Sequence, residues 1–135
     1  MVHINYLAIA VATVLLFIFS AVYYTVLNKK VMALRGIKPG KDGKFKNSMT
    51  SDKVIVELLR TYILGLIIAY AIHYLLINNV VEAIYLAFWL WIGFPVILLA
   101  GSVIHENYPK KLAIIHAGDW LVKLVLLTII LTVWK

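Results

Sequence analysis

The chain contains no cysteine, which excludes disulfides, thiolate nucleophiles and cysteine-bound metals. Charge is scarce as well: 14% of its 135 residues are charged, against 64% hydrophobic. A water-soluble domain of this size needs far more polar surface, so lipid is the solvent for most of the chain. The opening Met1-Val2-His3-Ile4-Asn5-Tyr6 lacks the basic stretch that starts a signal peptide, and the apolar run behind it is too long for one. The first segment is therefore expected to be a retained helix.

A bilayer core ~30 Å thick takes ~20 apolar residues at 1.5 Å rise each. Four runs meet that length, at about 4–27, 54–77, 83–104 and 112–134. They are continuous, without the period-two alternation of a membrane barrel, and backbone groups in hydrocarbon must be satisfied within each segment. The expectation is an all-α polytopic membrane protein, a bundle of four transmembrane helices forming one domain over residues 1–135.

The net charge of +7 is concentrated in one link. Lys29, Lys30, Arg35, Lys38, Lys41, Lys44, Lys46 and Lys53 all fall in the segment 28–53, between the first two runs. Short basic links stay cytoplasmic. Lys110 and Lys111 assign the last link to the same side, while Asn78-Asn79-Val80-Val81-Glu82 has no base. Both termini are therefore expected outside the cell membrane. Within the basic segment, Val31-Met32-Ala33-Leu34 reads as an extension of the first helix ending at Gly36, where a positive φ is cheap. The same bases suit anionic lipid headgroups, although a topology signal is the commoner reason for them. Nucleic acid is not an expected partner, because only Phe45 supplies an aromatic in the polar stretch.

Ionisable residues inside a spanning helix are expensive and are candidates for function by default. His116, Asp119 and Lys123 share an arc of about 60° on one face of the last helix. Lys123 lies about 18 Å from Lys111 along the axis, too deep for easy snorkelling, and needs a partner. One candidate is Asp119, in the favourable acid-before-base order at i, i+4. Another is the Trp91 carbonyl, left without its usual donor because Pro95 has no N–H. Counting residues from the helix ends places the Gly93-Phe94-Pro95 break, a kink at Gly93 and Pro95, level with Lys123. Depth matching adds Glu57 and Arg60 from the second helix and His105 and Glu106 from the third link, to give one polar cluster at the basic end. Ala8, Ala12, Gly65, Ala69, Ala100 to Ser102, Ala113, Ala117 and Gly118 allow close helix approach.

No metal or cofactor is expected. His116 and Asp119 lack a recognised ligand motif, and Lys123 beside them repels a cation. Ser102 and His105 come without a nucleophile elbow, so an enzyme is not expected.

Several stretches carry a resemblance: Ile4-Asn5-Tyr6-Leu7-Ala8-Ile9, Ala21-Val22-Tyr23-Tyr24, Trp91-Ile92-Gly93-Phe94, and above all Pro109-Lys110-Lys111-Leu112 leading into Ile115-His116-Ala117-Gly118-Asp119-Trp120-Leu121-Val122-Lys123-Leu124. They resemble the bacterial domain-of-unknown-function 1761 family over nearly the whole chain apart from the basic loop. The resemblance implies a small prokaryotic four-helix membrane protein and no particular activity. Members more often carry Asn or Asp before the central Ala-Gly and Tyr or His after it, whereas here His116 precedes and Asp119 follows. From the residues themselves, the intramembrane charges suggest a small channel or transporter component that binds or relays a proton or small charged solute. One small bundle seldom encloses a wide pore, which makes a homo-oligomer the expected form. A non-catalytic structural or assembly subunit is the competing expectation, its buried charges fixing helix register.

Overall fold

The computed structural model describes residues 1–44 and 49–135; Lys46 and Phe45 of the basic segment lie outside the described residues. The described residues form helices α1 (Tyr6–Val26), α2 (Asn28–Leu34), α3 (Ser51–Tyr74), α4 (Val80–Trp91), α5 (Ile97–His105) and α6 (Lys110–Val133), with a π turn at Ile92–Val96 joining α4 to α5. No strand occurs among them. Four helical stretches are long and apolar enough to cross a membrane: Tyr6–Val26, Ser51–Tyr74, Val80–His105 and Lys110–Val133. The fold is that of an all-α polytopic membrane protein.

Local chemistry sets the helix ends. Asn5, Thr50 and Asn79 each present a side-chain oxygen to a free N–H in the first turn of α1, α3 and α4. At α4 the capping is reciprocal: Asn79 Oδ1 accepts from the Glu82 N–H at 2.9 Å, while the Glu82 carboxylate accepts from the Asn78 N–H at 3.0 Å. The segment that reads as an extension of α1 is a separate helix, because Leu27 interrupts the helical backbone between α1 and α2. α2 ends where Gly36 adopts φ +73°. There the Ile37 N–H reaches the Met32 carbonyl at 2.9 Å and the Gly36 N–H the Ala33 carbonyl at 3.1 Å, the paired bonds of a Schellman stop.

The break in the third span is wound as a π turn, with Pro95 inside it. Its i→i+5 register offers the Trp91 carbonyl the N–H one residue beyond Pro95, so the carbonyl needs no lysine. Gly93 and Phe94 are exposed on the lipid side of this turn.

α6 is the axis of the molecule. It packs against α1, α2, α3, α4 and α5, and α3 also packs on α1. A helix surrounded in this way must be apolar on most faces, and Leu112, Ala113, Ile115, Leu124, Leu127 and Leu131 are all buried. The core opposite them is built from Ala8, Ile9, Ala12 and Leu16 of α1, Ile68 and Ile72 of α3, and Ala87 of α4. Small residues mark the tightest approaches, as at Gly65, where a Cβ would stand 2.9 Å from Ile9 Cγ2. Ala100 and Gly101 behave otherwise. Ala100 is exposed, and a Cβ on Gly101 would meet nothing within 4 Å.

This contrast gives a direct test of packing. Ile9 has no exposed surface and so no room to yield; Gly65→Ala is expected to destabilise the protein by about 1–3 kcal/mol. Gly101→Ala should leave stability unchanged or slightly raised, since it removes a helix-interior glycine without a clash. Thermal unfolding of the two variants in detergent checks this. Equal Tm shifts would remove the α1–α3 contact as a packing constraint.

Candidate functional site

Asp119 sits on the buried face of α6 with 3% of its surface exposed. A carboxylate in such a place must have its lone pairs filled. Three donors do this. Ser20 Oγ of α1 donates to Oδ1 at 2.8 Å, Tyr24 OH of α1 lies 3.2 Å from Oδ2, and Lys123 Nζ, one turn further along α6, lies 3.1 Å from the same oxygen. The ammonium also stands 5.3 Å from the centroid of the Trp120 ring, a cation–π contact that further compensates its burial.

The Tyr24 hydroxyl bridges two groups. It is 2.6 Å from His116 Nδ1 as well as within reach of Asp119. A phenol has one proton to give. When Tyr24 donates to Asp119, His116 must donate its Nδ1–H to Tyr24; when Tyr24 donates to His116, Asp119 loses that donor. The imidazole is framed by Tyr24 and Tyr108, with ring centroids 5.5 and 6.2 Å away.

Two more aromatic side chains dock on the backbone of the same α6 turn. Tyr23 OH donates to the Ile115 carbonyl at 2.7 Å, and Trp91 Nε1 donates to the Ala117 carbonyl at 2.8 Å. Tyr23 approaches across Gly118, where a Cβ would come to 2.9 Å from its oxygen. The Ala117-Gly118 pair thus leaves the room that lets α1 and α4 reach the α6 backbone.

Of the residues expected to cluster, the structure brings together Asp119, Lys123 and His116. Glu57 and Arg60 pair with each other along α3, and the Arg60 side chain is 63% exposed. His105 and Glu106 lie exposed at the end of α5 and make no bond to the network. Lys123 turns to Asp119 and not to the Trp91 carbonyl. The break at Gly93 and Pro95 also lies elsewhere: Trp91 is tied to Ala117, so the π turn that follows it runs on toward the Lys110 end, away from Lys123. Ser20, Tyr23, Tyr24 and Trp91 are the partners that sequence reasoning left out of the cluster. For the three on the first helix the signal was the spacing of Ser20, Tyr23 and Tyr24, which puts three polar tips on one face. Among the described residues, no group of three or more His, Asp or Glu side chains is placed to hold a metal ion.

The ion pair makes a quantitative expectation possible. Lys123→Met alone leaves Asp119 buried without its counter-charge and should cost about 3–5 kcal/mol. Combining it with Asp119→Leu is expected to cost clearly less than the sum of the two single changes, because no buried charge then remains. Denaturant titration of the four proteins in detergent micelles measures the coupling. Strict additivity would mean the two charges do not sense each other.

No curated protein and no solved structure matches this chain. A family model does, described as a protein of unknown function (DUF1761), and it spans residues 7–132. It therefore covers α1 through α6 apart from the outermost residues, including every member of the Asp119 network, and the chain belongs to the DUF1761 family.

Proposed function

We propose that this membrane protein is a proton-handling component of a small transporter or channel, with Asp119 as the proton-accepting group. The observation that carries the reading is the Tyr24 hydroxyl, held between His116 Nδ1 and Asp119 Oδ2. Both oxygens of Asp119 already accept hydrogen bonds from the chain's own side chains. That favours a proton over a larger solute, since a proton can enter without displacing any of them.

The step is a two-proton shift. A protonated His116 passes its Nδ1 proton to Tyr24 while Tyr24 passes its own to Asp119; imidazolium becomes imidazole and carboxylate becomes carboxylic acid. Lys123 is then left buried without an opposing charge, a costly state that drives the proton onward or back. The polar chain ends at Lys123. Beyond it, Ile9 and Leu127 are fully buried around Gly65, so passage across the membrane needs a rearrangement there or a second copy of the chain. In this reading the basic segment 28–53 is cytoplasmic, both termini lie outside the cell membrane, and His116 is the inner end of the path.

A structural or assembly subunit without catalysis is the second reading. It is favoured by the way Tyr23 and Trp91 tie α1 and α4 to the Ile115 and Ala117 carbonyls of α6, an arrangement suited to fixing register.

Reconstituted vesicles carrying an internal pH-sensitive dye separate the two. Under an imposed pH gradient with the potential clamped, the native protein should collapse the gradient at least ~10-fold faster than Asp119→Asn combined with Lys123→Met, the removal of a positioned proton-transfer group being worth about 10²–10⁴. Tyr24→Phe should slow it as well. If the native protein leaks no faster than the double variant, the transport reading is abandoned and the structural one stands.

A further inference from the structure

We propose that α2 and the start of α6 together form a docking surface for anionic lipid headgroups. The surface is built by packing as well as by sequence. Val31 of α2 is 5% exposed and seated on Leu112 and Ile115 of α6, with Leu27, Leu34, Tyr23, Tyr24 and Tyr108 around them. That contact brings Lys29 and Lys30 of α2, with Arg35 at its C-terminal cap, to the same end of the molecule as Lys110 and Lys111, which immediately precede Leu112. All five bases are exposed, and none of them forms an ion pair among the described residues.

The depth is that of headgroups. Only Leu27 separates α2 from the spanning helix α1, so Lys29 and Lys30 stand roughly 5 Å along the chain from the end of the span, at 1.5 Å per residue. On a helical wheel Lys29 opposes Val31 and Lys30 stands about 100° from it, while Arg35, one residue past the end of α2, lies about 40° from Val31, at the edge of the anchored side. A short helix with an apolar side held down and a basic side turned outward lies in the plane of the interface. Each base near an anionic surface contributes attraction that corresponds to about a fivefold change in binding. A topology signal requires bases on one side of the membrane, but it does not require an apolar anchor that gathers five of them from two helices.

Native mass spectrometry of the full chain, released from nanodiscs of mixed phosphatidylglycerol and phosphatidylcholine, tests this surface. The native protein is expected to retain phosphatidylglycerol over phosphatidylcholine by roughly tenfold or more, as the sum of several such contacts. K29Q/K30Q/R35Q should remove the preference, and K38Q/K41Q/K44Q in the following turn should keep it. If the first variant does not insert, the native protein in high salt serves instead, since exposed charge contacts are screened there and the preference must fall. The proposal is overturned by a native protein without preference, by a preference that survives K29Q/K30Q/R35Q or high salt, or by one lost in K38Q/K41Q/K44Q. Inorganic phosphate in excess should not displace the lipid. If it does, the surface binds free anions and the lipid assignment fails.

Discussion

Burying one carboxylate governs much of the arrangement. Asp119 sits at 3% exposure in a helix that is mostly apolar, where little solvent can reach its charge. The compensating donors come from two directions, Lys123 along α6 and Ser20 with Tyr24 across from α1. The α1 donors reach only if α1 and α6 hold a fixed rotation and a fixed longitudinal register. The small residues Ala8 and Ala12, with Gly118 beneath Tyr23, let the backbones come that close. Packing and polarity therefore specify the same geometry, which is what makes a single arrangement of apolar helices preferable to its many near neighbours. In lipid this matters more than in water, because apolar faces gain nothing by leaving the solvent.

The fold class and the Asp119–Lys123 pair were legible in the sequence for the same reason: both are local. Segment length against bilayer thickness needs only a count, and an i, i+4 pair is set by helix geometry alone. The wider cluster was not legible, because it was assembled by depth and depth says nothing about rotation. Arg60 lies five residues from Gly65, about 140° around the helix. Gly65, Ile68 and Ile72 face the core, so Arg60 at any matching depth faces away from it. All four helices are apolar around most of their circumference, and no stripe in α3 marks which side meets α6.

The third span misled the reading for a related reason, an error of origin. Hydropathy puts the start of its apolar run at residue 83, whereas the helix starts at Val80 behind the Asn79 cap. From there Pro95 is about 22 Å along the axis, while Lys123 is about 15 Å from the Val133 end of α6. The two levels differ by more than one helical turn. A cap formed by Asn79 and Glu82 starts the helix three residues ahead of residue 83, on the far side of the charged Glu82 that interrupts the apolar run. The proline's cost is met within the backbone by the π turn, leaving Lys123 free for Asp119.

Polarity along α6 is one-sided. From His116 to Lys123 the face toward α1 carries side chains that exchange hydrogen bonds with one another, while beyond Lys123 it meets Ile9 and Leu127, both fully buried. Two buried hydroxyls beyond Lys123 do not extend the chain of bonds: Thr13 donates to the Ile9 carbonyl and Thr128 to the Val125 carbonyl, each within its own helix. At the other end, the cluster of Val31, Leu112 and Ile115 lies over Tyr23, Tyr24 and Tyr108, between the network and the basic surface. The network is thus enclosed by a packed apolar layer on one side and by a seven-residue helix on the other. A short helix has few bonds of its own and depends on its contacts to stay formed. The weaker of the two closures is therefore α2, which stands over a His116 that is only partly buried, whereas Ile9 and Leu127 on the other side have no exposed surface.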